Sequence, residues 1–216
     1  MWLPEQDVDS NRDCWTLAVA TDLEAIVRSL VTFYDFAGKT VVSVGAGGGQ
    51  LVEYARQAHR VIAVDQDAAA IERLAMRLGE SGMAKKFTIV HGDLLTVRPS
   101  GDIVLFEFCL HEMPDPERAL DHAGHLAPDV MVIDHAPGSR WSWCAAEDGQ
   151  VETGWNAVAR RPIRRSLDIE AFQRFRDYRE LEAKMAAQGP TSLERIAPYR
   201  SHEDISIPMP YRLALL

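Results

Sequence analysis

Four glycines in five positions follow a short β-branched run in the segment VVSVGAGGGQL, at residues 41–51. Apart from Ser43, residues 41–44 are valines, as is typical of a strand that is buried on both faces. Glycine loses more conformational entropy on folding than any other residue, so this density favours a backbone that must approach another group closely. A strand, a glycine turn and a helix-compatible stretch present bare N–H groups to a ligand. The segment therefore predicts a binding turn.

Strand and helix patterns alternate through residues 38–135. The strands are predicted at about 40–45, 60–65, 87–90, 102–108 and 130–134, and the helices at about 50–58, 68–79 and 116–126. Strands that alternate with helices at this spacing indicate parallel βαβ units in a doubly wound sheet. We therefore expect an α/β fold whose core lies in residues 38–135.

The two ends of the chain depart from this alternation. Helical spacing of apolar residues up to about Phe36 predicts an N-terminal helical lid over residues 1–36. Residues 138–188 are expected to form a lid or substrate segment, irregular over 138–164 and a single charged helix over 165–188. Two final strand-like runs, about 193–199 and 205–215, predict a terminal antiparallel hairpin within residues 192–216. The prediction is one domain, residues 1–216, with a mostly parallel seven-stranded sheet and an antiparallel C-terminal hairpin.

Composition excludes several classes of function. The formal net charge is −9 and there is no long Lys/Arg block, which argues against nucleic-acid and membrane-surface partners. The acidic N-terminus does not resemble a signal peptide, and no apolar run reaches transmembrane length. Three widely spaced cysteines favour a reducing, cytoplasmic setting over a disulfide scaffold. Histidines and carboxylates near the strand ends lack tight ligand spacing, so no metal site is predicted.

The spacing of the glycines separates two classes of ligand. The dinucleotide pattern G-x-G-x-x-G needs a third glycine where helix and strand pack closely. Counted from Gly45 that position holds Gln50, and counted from Gly47 it holds Val52. The shorter pattern G-x-G-x-G fits, with Gly49 as its third member. The spacing therefore argues against a dinucleotide.

Two carboxylates follow later strands at the same predicted edge. Asp65, at the end of the second strand, can accept both hydroxyls of a ribose in either ligand class, or be an ordinary strand-end carboxylate. Asp93 follows the third strand, where it can contact a ligand or simply close the turn at Gly92.

With these motifs the sequence resembles the class I S-adenosylmethionine-dependent methyltransferases, especially those that act on small molecules. The resemblance covers about residues 38–135 and rests on VVSVGAGGGQL, VIAVDQD, HGDLL and DIVLFEFCLHEMPDP, in that order. It implies a Rossmann-like fold, S-adenosylmethionine as the cofactor, and methyl transfer to an O, N or S atom of a small molecule. A non-catalytic cofactor-binding protein and, less favoured, an NAD-dependent oxidoreductase are the alternatives.

The resemblance also implies a set of cofactor-binding residues. The glycine turn would approach the methionine part and the ribose, with Asp65 on the ribose hydroxyls and Asp93 on the adenine amino group. Phe106 and Glu107, at the end of the fourth strand, would face the sulfonium and its methyl group. The whole set is Gly45, Ala46, Gly47, Gly49, Asp65, Gln66, Asp93, Leu94, Phe106 and Glu107.

One position departs from the family pattern. The family often has an acidic residue two positions before the first glycine, where this chain has Ser43. Another residue, such as Glu107, would then receive the ammonium group of the cofactor.

Two histidines follow strands at the predicted cofactor edge. His111 comes shortly after the fourth strand, and His135 follows the fifth strand directly after Asp134. Because imidazole titrates near neutral pH, either can take a proton from an acceptor that is aligned with the sulfonium. We predict His111 as the base and His135 as the second candidate; the alternative is that His111 only packs in its loop. Whether the chain is a monomer or a homodimer stays open.

Overall fold

The computed structural model describes residues 23–216 and has one large mostly parallel sheet. The strands are β1 (Thr40–Val44), β2 (Arg60–Asp65), β3 (Phe87–His91), β4 (Ile103–Glu107), β5 (Asp129–His135), β6 (Arg165–Ile169), β7 (Phe172–Asp177), β8 (Glu203–Pro208) and β9 (Tyr211–Leu215). Seven of them form the main sheet, in the order β3-β2-β1-β4-β5-β9-β6. β1 to β5 are parallel, and β9 runs antiparallel between β5 and β6. The predicted fold class is confirmed.

Helices cover both faces of this sheet. They are α1 (Leu23–Phe33), α2 (Ala68–Glu80), α3 (Pro116–Leu126), α4 (Arg140–Cys144), α5 (Asp148–Ala159), α6 (Tyr178–Met185) and α7 (Pro190–Ile196). α2 begins where the Asp67 carboxylate accepts the N–H of Ala69 at 2.9 Å, and α3 begins at a comparable Asp115 cap followed by Pro116. These local signals explain why both helices lie where the sequence predicts them.

Alternate residues of β4 divide the core into two layers. Leu105 packs with α1 and α2 residues such as Leu30 and Leu74 on one face of the sheet. Phe106 packs on the opposite face with residues of α3 and α5, including Leu120. Because every residue of β4 is buried, the strand is apolar up to Glu107, as expected for a central parallel strand.

A third apolar cluster lies apart from these two layers. It joins α4, β7, α6, α7 and β8, which we call the cap, through Trp141, Phe175, Leu181, Ile196 and Ile207 among others. β7 and β8 pair antiparallel as a separate two-stranded sheet. Most of the cap is therefore an insertion between β6 and β9 of the main sheet.

The sequence prediction for residues 138–188 is wrong in its secondary structure. The segment 138–164, predicted as irregular, contains α4 and α5. The predicted single helix over 165–188 is instead β6, β7 and α6. Apolar spacing there fits both periods, but in β7 the inward residues Gln173 and Phe175 alternate with exposed neighbours. Pairing of β6 with β9 and of β7 with β8 decides the outcome.

Two further element predictions need correction. Residues 193–199 are helical rather than a strand, because Pro190 occupies the first turn of α7 instead of ending a helix. The antiparallel pair at the C-terminal end is therefore β6 with β9, and not two strands within 192–216. The helix predicted over 50–58 is a short 3-10 helix, Val52–Arg56.

Parts of the predicted N-terminal lid lie outside the described residues, which include α1 but not residues 1–22. Cys14 also lies outside them, and Cys109 and Cys144 are free thiols. Within residues 23–216, no helix has the length and apolar character needed to cross a membrane.

Lys86 caps the 3-10 helix that follows the glycine turn. Its Nζ donates to the main-chain oxygens of Ala55, Arg56 and Ala58 at 3.0, 2.7 and 2.7 Å. We expect Lys86→Met to lower the free energy of unfolding by about 1–3 kcal/mol in urea denaturation, because three carbonyls lose a charged donor. The exposed neighbour gives a matched control: Lys85→Met should change stability by less than about 0.5 kcal/mol. Equal losses in the two variants would contradict this role.

Candidate functional site

The carboxyl ends of β1 and β4 border a deep cleft. The chain leaves β1 towards β2, whereas β4 lies on its other side, so the cleft opens where the strand order reverses. Open α/β sheets bind ligands at this switch point. The cleft has a volume of about 1450 Å³. Because pockets for one drug-sized ligand measure roughly 300–1,000 Å³, it can hold a cofactor together with a second molecule.

The glycine turn depends on backbone conformations that other residues avoid. Gly45, Gly47 and Gly49 have φ values of +66°, +51° and +75°. A Cβ on Gly45 would lie 2.4 Å from the Cβ of Cys109 in the loop after β4. A Cβ on Gly49 would lie 2.9 Å from Leu74 of α2. The turn is therefore held tightly between the β4 loop and α2.

Asp65 supports this turn from the end of β2. Its Oδ2 accepts the N–H of Gly47 at 2.9 Å, and its Oδ1 accepts the N–H of Asp67 at 2.9 Å. Each oxygen keeps a second lone pair for a ligand. Asp93 is placed similarly after β3, where its Oδ1 accepts the N–H of Leu95 at 2.9 Å. Both carboxylates thus shape their own loops while lining the cleft.

Most of the predicted cofactor residues meet at the cleft. Its lining includes Gly45, Ala46, Gly47, Asp65, Gln66, Asp93, Leu94 and Glu107. The other two predicted residues lie behind it: Gly49 packs on α2, and Phe106 is fully buried beneath the sheet end. Phe106 packs in the layer opposite to Leu105 and is not part of the lining, and its contact with the cofactor stays a prediction.

Glu107 carries a buried carboxylate beside the glycine turn. Its Oε1 accepts hydrogen bonds from the Ser43 hydroxyl at 2.5 Å and from the Tyr54 hydroxyl at 3.0 Å. Burial raises the pKa of Glu107 to about 7, although both hydrogen bonds favour its ionised form. Burial also holds the pKa of Tyr54 well above its ordinary value, so this phenol remains a donor. Ser43, at the β1 position where the family pattern has an acid, is thus hydrogen-bonded to a carboxylate from β4.

Phe108 occupies a strained backbone position directly after this carboxylate. Its φ is +50°, a conformation that bulky side chains rarely adopt. The N–H of Phe108 donates to the Ile133 oxygen at 2.8 Å, and its ring lies 5.2 Å from the His135 ring. Strain of this kind concentrates at functional sites. The sequence gives no sign of it, since only the fold reveals the backbone angle.

Asp134 fixes both histidines of the sequence prediction. Its Oδ1 lies 2.6 Å from His111 Nδ1 and also accepts the N–H of His135 at 2.8 Å. Its Oδ2 accepts the N–H of His111 at 3.1 Å. Burial lowers the pKa of His111, but the hydrogen bond and charge of Asp134 outweigh it, so the net shift is upward.

The two histidines differ in their access to the cleft. The His111 side chain is only 3% exposed and lies behind the cleft wall, with its Nε2 3.9 Å from Glu147. His135 lines the cleft. Burial lowers the pKa of His135 to about 4, so its ring is neutral at neutral pH. Its Nδ1 is buried and has no hydrogen-bond partner within residues 23–216.

Two tryptophans lie at this site. Trp155 is buried under the site, where its Nε1 donates to the His135 oxygen at 2.6 Å. Trp141 stacks on Phe175 and lines the cleft from the cap side. Gln173 and Met209 line the cleft as well, and the sequence pattern did not single them out. Among the described residues, no group of three or more His, Cys, Asp or Glu side chains could hold a metal ion.

Comparison with known proteins agrees with this geometry. A family model described as a methyltransferase domain matches residues 42–127. This part of the chain is therefore similar to methyltransferase domains. The match spans β1 to the end of α3, which includes the glycine turn, Asp65 and Glu107. A search of curated protein sequences gives no match to this chain.

Solved structures of low sequence identity share its fold. A proposed methyltransferase from Bacillus halodurans C-125 is 14% identical, with a TM-score of 0.64 over 90% of this chain and 97% of the other. The YcgJ protein from Bacillus subtilis is 15% identical, with a TM-score of 0.64 over 89% and 96%. A proposed RNA methyltransferase from Pyrococcus horikoshii is 20% identical, with a TM-score of 0.53 over 89% and 79%.

Gly45 and Gly48 allow the packing of the glycine turn to be tested. We expect Gly45→Ala to lower the free energy of unfolding by at least about 2 kcal/mol. The alanine would be strained at the positive φ of this position, and its Cβ would also collide with Cys109. For Gly48→Ala, where a new Cβ would meet described atoms at 3.4 Å or more, the change should stay below about 1 kcal/mol. Chemical denaturation measures both. Similar stability of the two variants would contradict the close approach of the two loops.

Proposed function

We propose that this protein is an S-adenosylmethionine-dependent methyltransferase and that it transfers the methyl group of its cofactor to an oxygen, nitrogen or sulfur atom of a small molecule. The observation that carries the proposal is the cleft of about 1450 Å³, which joins the glycine turn to a chamber under the cap. The cofactor supplies an electrophilic methyl group, so the protein needs no nucleophile of its own. Its residues bind, align the acceptor, exclude water and accept a proton.

The residues at the glycine end fit this cofactor. The glycine turn brings backbone without side chains up to the cleft, and Asp65, which accepts the N–H of Gly47, has lone pairs left for ribose hydroxyls. Asp93 and Leu94 would hold the adenine, with Gln66 beside it. Gly49 and Phe106 support the site from behind rather than touch the ligand.

Glu107 supplies the negative charge that the cofactor ammonium requires. Its Oε1 is held by Ser43 and Tyr54, and the carboxylate lies at the cleft wall next to the glycine turn. A buried carboxylate of raised pKa gains from a cationic partner, which offsets the cost of its burial. In this proposal Glu107 takes the part that an acid on β1 has in the family pattern.

His135 is the better placed base of the two histidines. It lines the cleft and stays neutral at neutral pH, so it can accept a hydrogen bond or a proton from an acceptor group. His111 lies behind the wall and, through Asp134, positions the loop and the backbone of His135. We therefore assign His111 a positioning role and His135 the contact with the acceptor.

Several observations favour a small-molecule acceptor over a nucleic acid. The net charge is −9. Residues 160–165 include four arginines, and members of this group form ion pairs within the protein: Arg161 pairs with Asp121 at 2.6 Å and Arg164 with Asp129 at 2.7 Å. The cap and the predicted N-terminal lid would then enclose the acceptor, and a cytoplasmic location fits the free thiols.

The charge state of Glu107 gives a first test by calorimetric titration with S-adenosylhomocysteine. Because its pKa is raised to about 7, ionisation completes as the pH rises through neutrality. We expect affinity to increase about tenfold from about pH 6 to about pH 8, and Glu107→Gln to bind weakly at both values. As a control, Glu72→Gln on the exposed side of α2 should keep the wild-type dependence. Lack of binding at millimolar ligand would overturn the proposed function, and pH-independent binding would overturn the role of Glu107.

Methyl transfer from radiolabelled S-adenosylmethionine to a pool of small molecules tests the acceptor and the base. We expect His135→Gln to reduce transfer by about 10²-fold or more while S-adenosylhomocysteine affinity stays unchanged, since a positioned base contributes that much. His111→Gln should reduce transfer less and lower thermal stability, because it breaks the buried contact with Asp134. Label that enters RNA instead would contradict the small-molecule acceptor. Tight binding with no transfer to any pool would favour the non-catalytic alternative.

A further inference from the structure

Two buried polar atoms without partners lie at the cap end of the cleft. Gln173 is 7% exposed, and its Nε2 donates to Met209 Sδ at 2.9 Å. Its Oε1 is buried and has no hydrogen-bond partner within residues 23–216. His135 is 8% exposed, and its buried Nδ1 likewise has no hydrogen-bond partner among the described residues. Proteins seldom leave such atoms unsatisfied, because each one costs free energy of folding.

Both residues belong to the lining of the same cleft. His135 ends β5 of the main sheet, and Gln173 lies on the inner face of β7 in the cap. Gln173 shares the inward face of β7 with Phe175, which belongs to an apolar cluster. Burying an amide there costs free energy unless the amide has a hydrogen-bond partner. The two atoms are therefore explained together by a ligand between sheet and cap.

The walls around these atoms are flat and apolar. Trp141 is held by Phe175, whose ring lies 6.0 Å away at an interplanar angle of 15°. Phe108 and Met209 add a second ring and a polarisable sulfur to the same lining. Aromatic faces and thioethers favour flat, polarisable ligands. The lining holds charged residues of both signs, such as Glu112 and Lys184, so it does not present charge of a single sign.

We propose that this chamber is the acceptor subsite, and that its acceptor is a neutral aromatic molecule whose O–H or N–H donates to Gln173 Oε1. The inference rests on the proposed function, because it names the acceptor class for that cleft. An amide oxygen only accepts hydrogen bonds, so the ligand must carry the donor. A neutral imidazole at His135 has no charge to match a charged acceptor, which suits an uncharged hydroxyl or amine. Gln173 is then a specificity-determining residue of the acceptor subsite.

Binding of 2-naphthol to the full chain saturated with S-adenosylhomocysteine tests this inference by calorimetry. 2-Methoxynaphthalene has the same rings but no donor, so it should bind at least about tenfold more weakly. We expect Gln173→Met, which keeps the length of the side chain but removes the acceptor, to abolish this preference. Gln188→Met, an exposed glutamine elsewhere near the cap, should behave as wild type.

Folding and cofactor binding serve as separate readouts in the same samples. Gln173→Met should leave S-adenosylhomocysteine affinity within about twofold and the thermal midpoint at or above the wild-type value, because it removes a buried unsatisfied oxygen. If Gln173→Met does not fold, Trp141→Phe serves as the second variant. It makes the aromatic wall of the cleft smaller and should weaken the binding of 2-naphthol several-fold. 2-Naphthol should still bind more tightly than 2-methoxynaphthalene.

Three results would overturn the inference: equal affinity for the two naphthalenes in the wild type, an unchanged preference in Gln173→Met, or no binding of either probe to the loaded protein. Failure of S-adenosylhomocysteine itself to bind would instead overturn the proposed function. The two failures are therefore distinguishable in one set of titrations.

Discussion

A carboxylate buried between β1 and β4 is the constraint on which the site depends. Glu107 lies where the two central strands end, and Ser43 and Tyr54 hold its Oε1 by hydrogen bonds. A charge in this position is costly by itself, which is why its pKa is raised to about 7. The surrounding structure keeps the cost tolerable with two hydroxyl donors and leaves room for a cationic ligand. An acid thus lies near the glycine turn, but on the strand next to β1.

Tight contacts connect Glu107 to the glycine turn and to the end of β5. Cys109, two residues after Glu107, packs where any side chain on Gly45 would collide with it. Phe108 between them accepts a positive φ and lies against His135. Asp134 then joins the ends of β4 and β5 by holding His111 and the backbone of His135. The glycine turn, Glu107 and His135 are therefore parts of one packed edge of the sheet.

Local patterns were enough to predict the parallel core. β1 to β5, α2 and α3 lie close to their predicted positions because strand burial, caps such as Asp67 and Pro116, and glycine stops all agree there. The region after β5 was not predictable in this way. Residues 165–177 fit a helical stripe and an alternating strand equally well, and the pairing with β8 and β9 that decides between them is distant in sequence.

The site could be predicted in outline but not in its contacts. The spacing of the glycines and of Asp65 identifies the cofactor end from local sequence. The bond between Ser43 and Glu107 joins residues 64 positions apart, so only the fold shows that one compensates for the other. The same holds for Gln173, whose unpaired oxygen has meaning only once the cap is folded over the cleft.

A crystal structure of the full chain with S-adenosylhomocysteine tests the central claim most directly. The account predicts that the ammonium group of the ligand lies within hydrogen-bonding distance of the Glu107 carboxylate, with its sulfur facing the chamber between His135 and the cap. An ammonium group bound elsewhere, with Glu107 still held only by Ser43 and Tyr54, would contradict it.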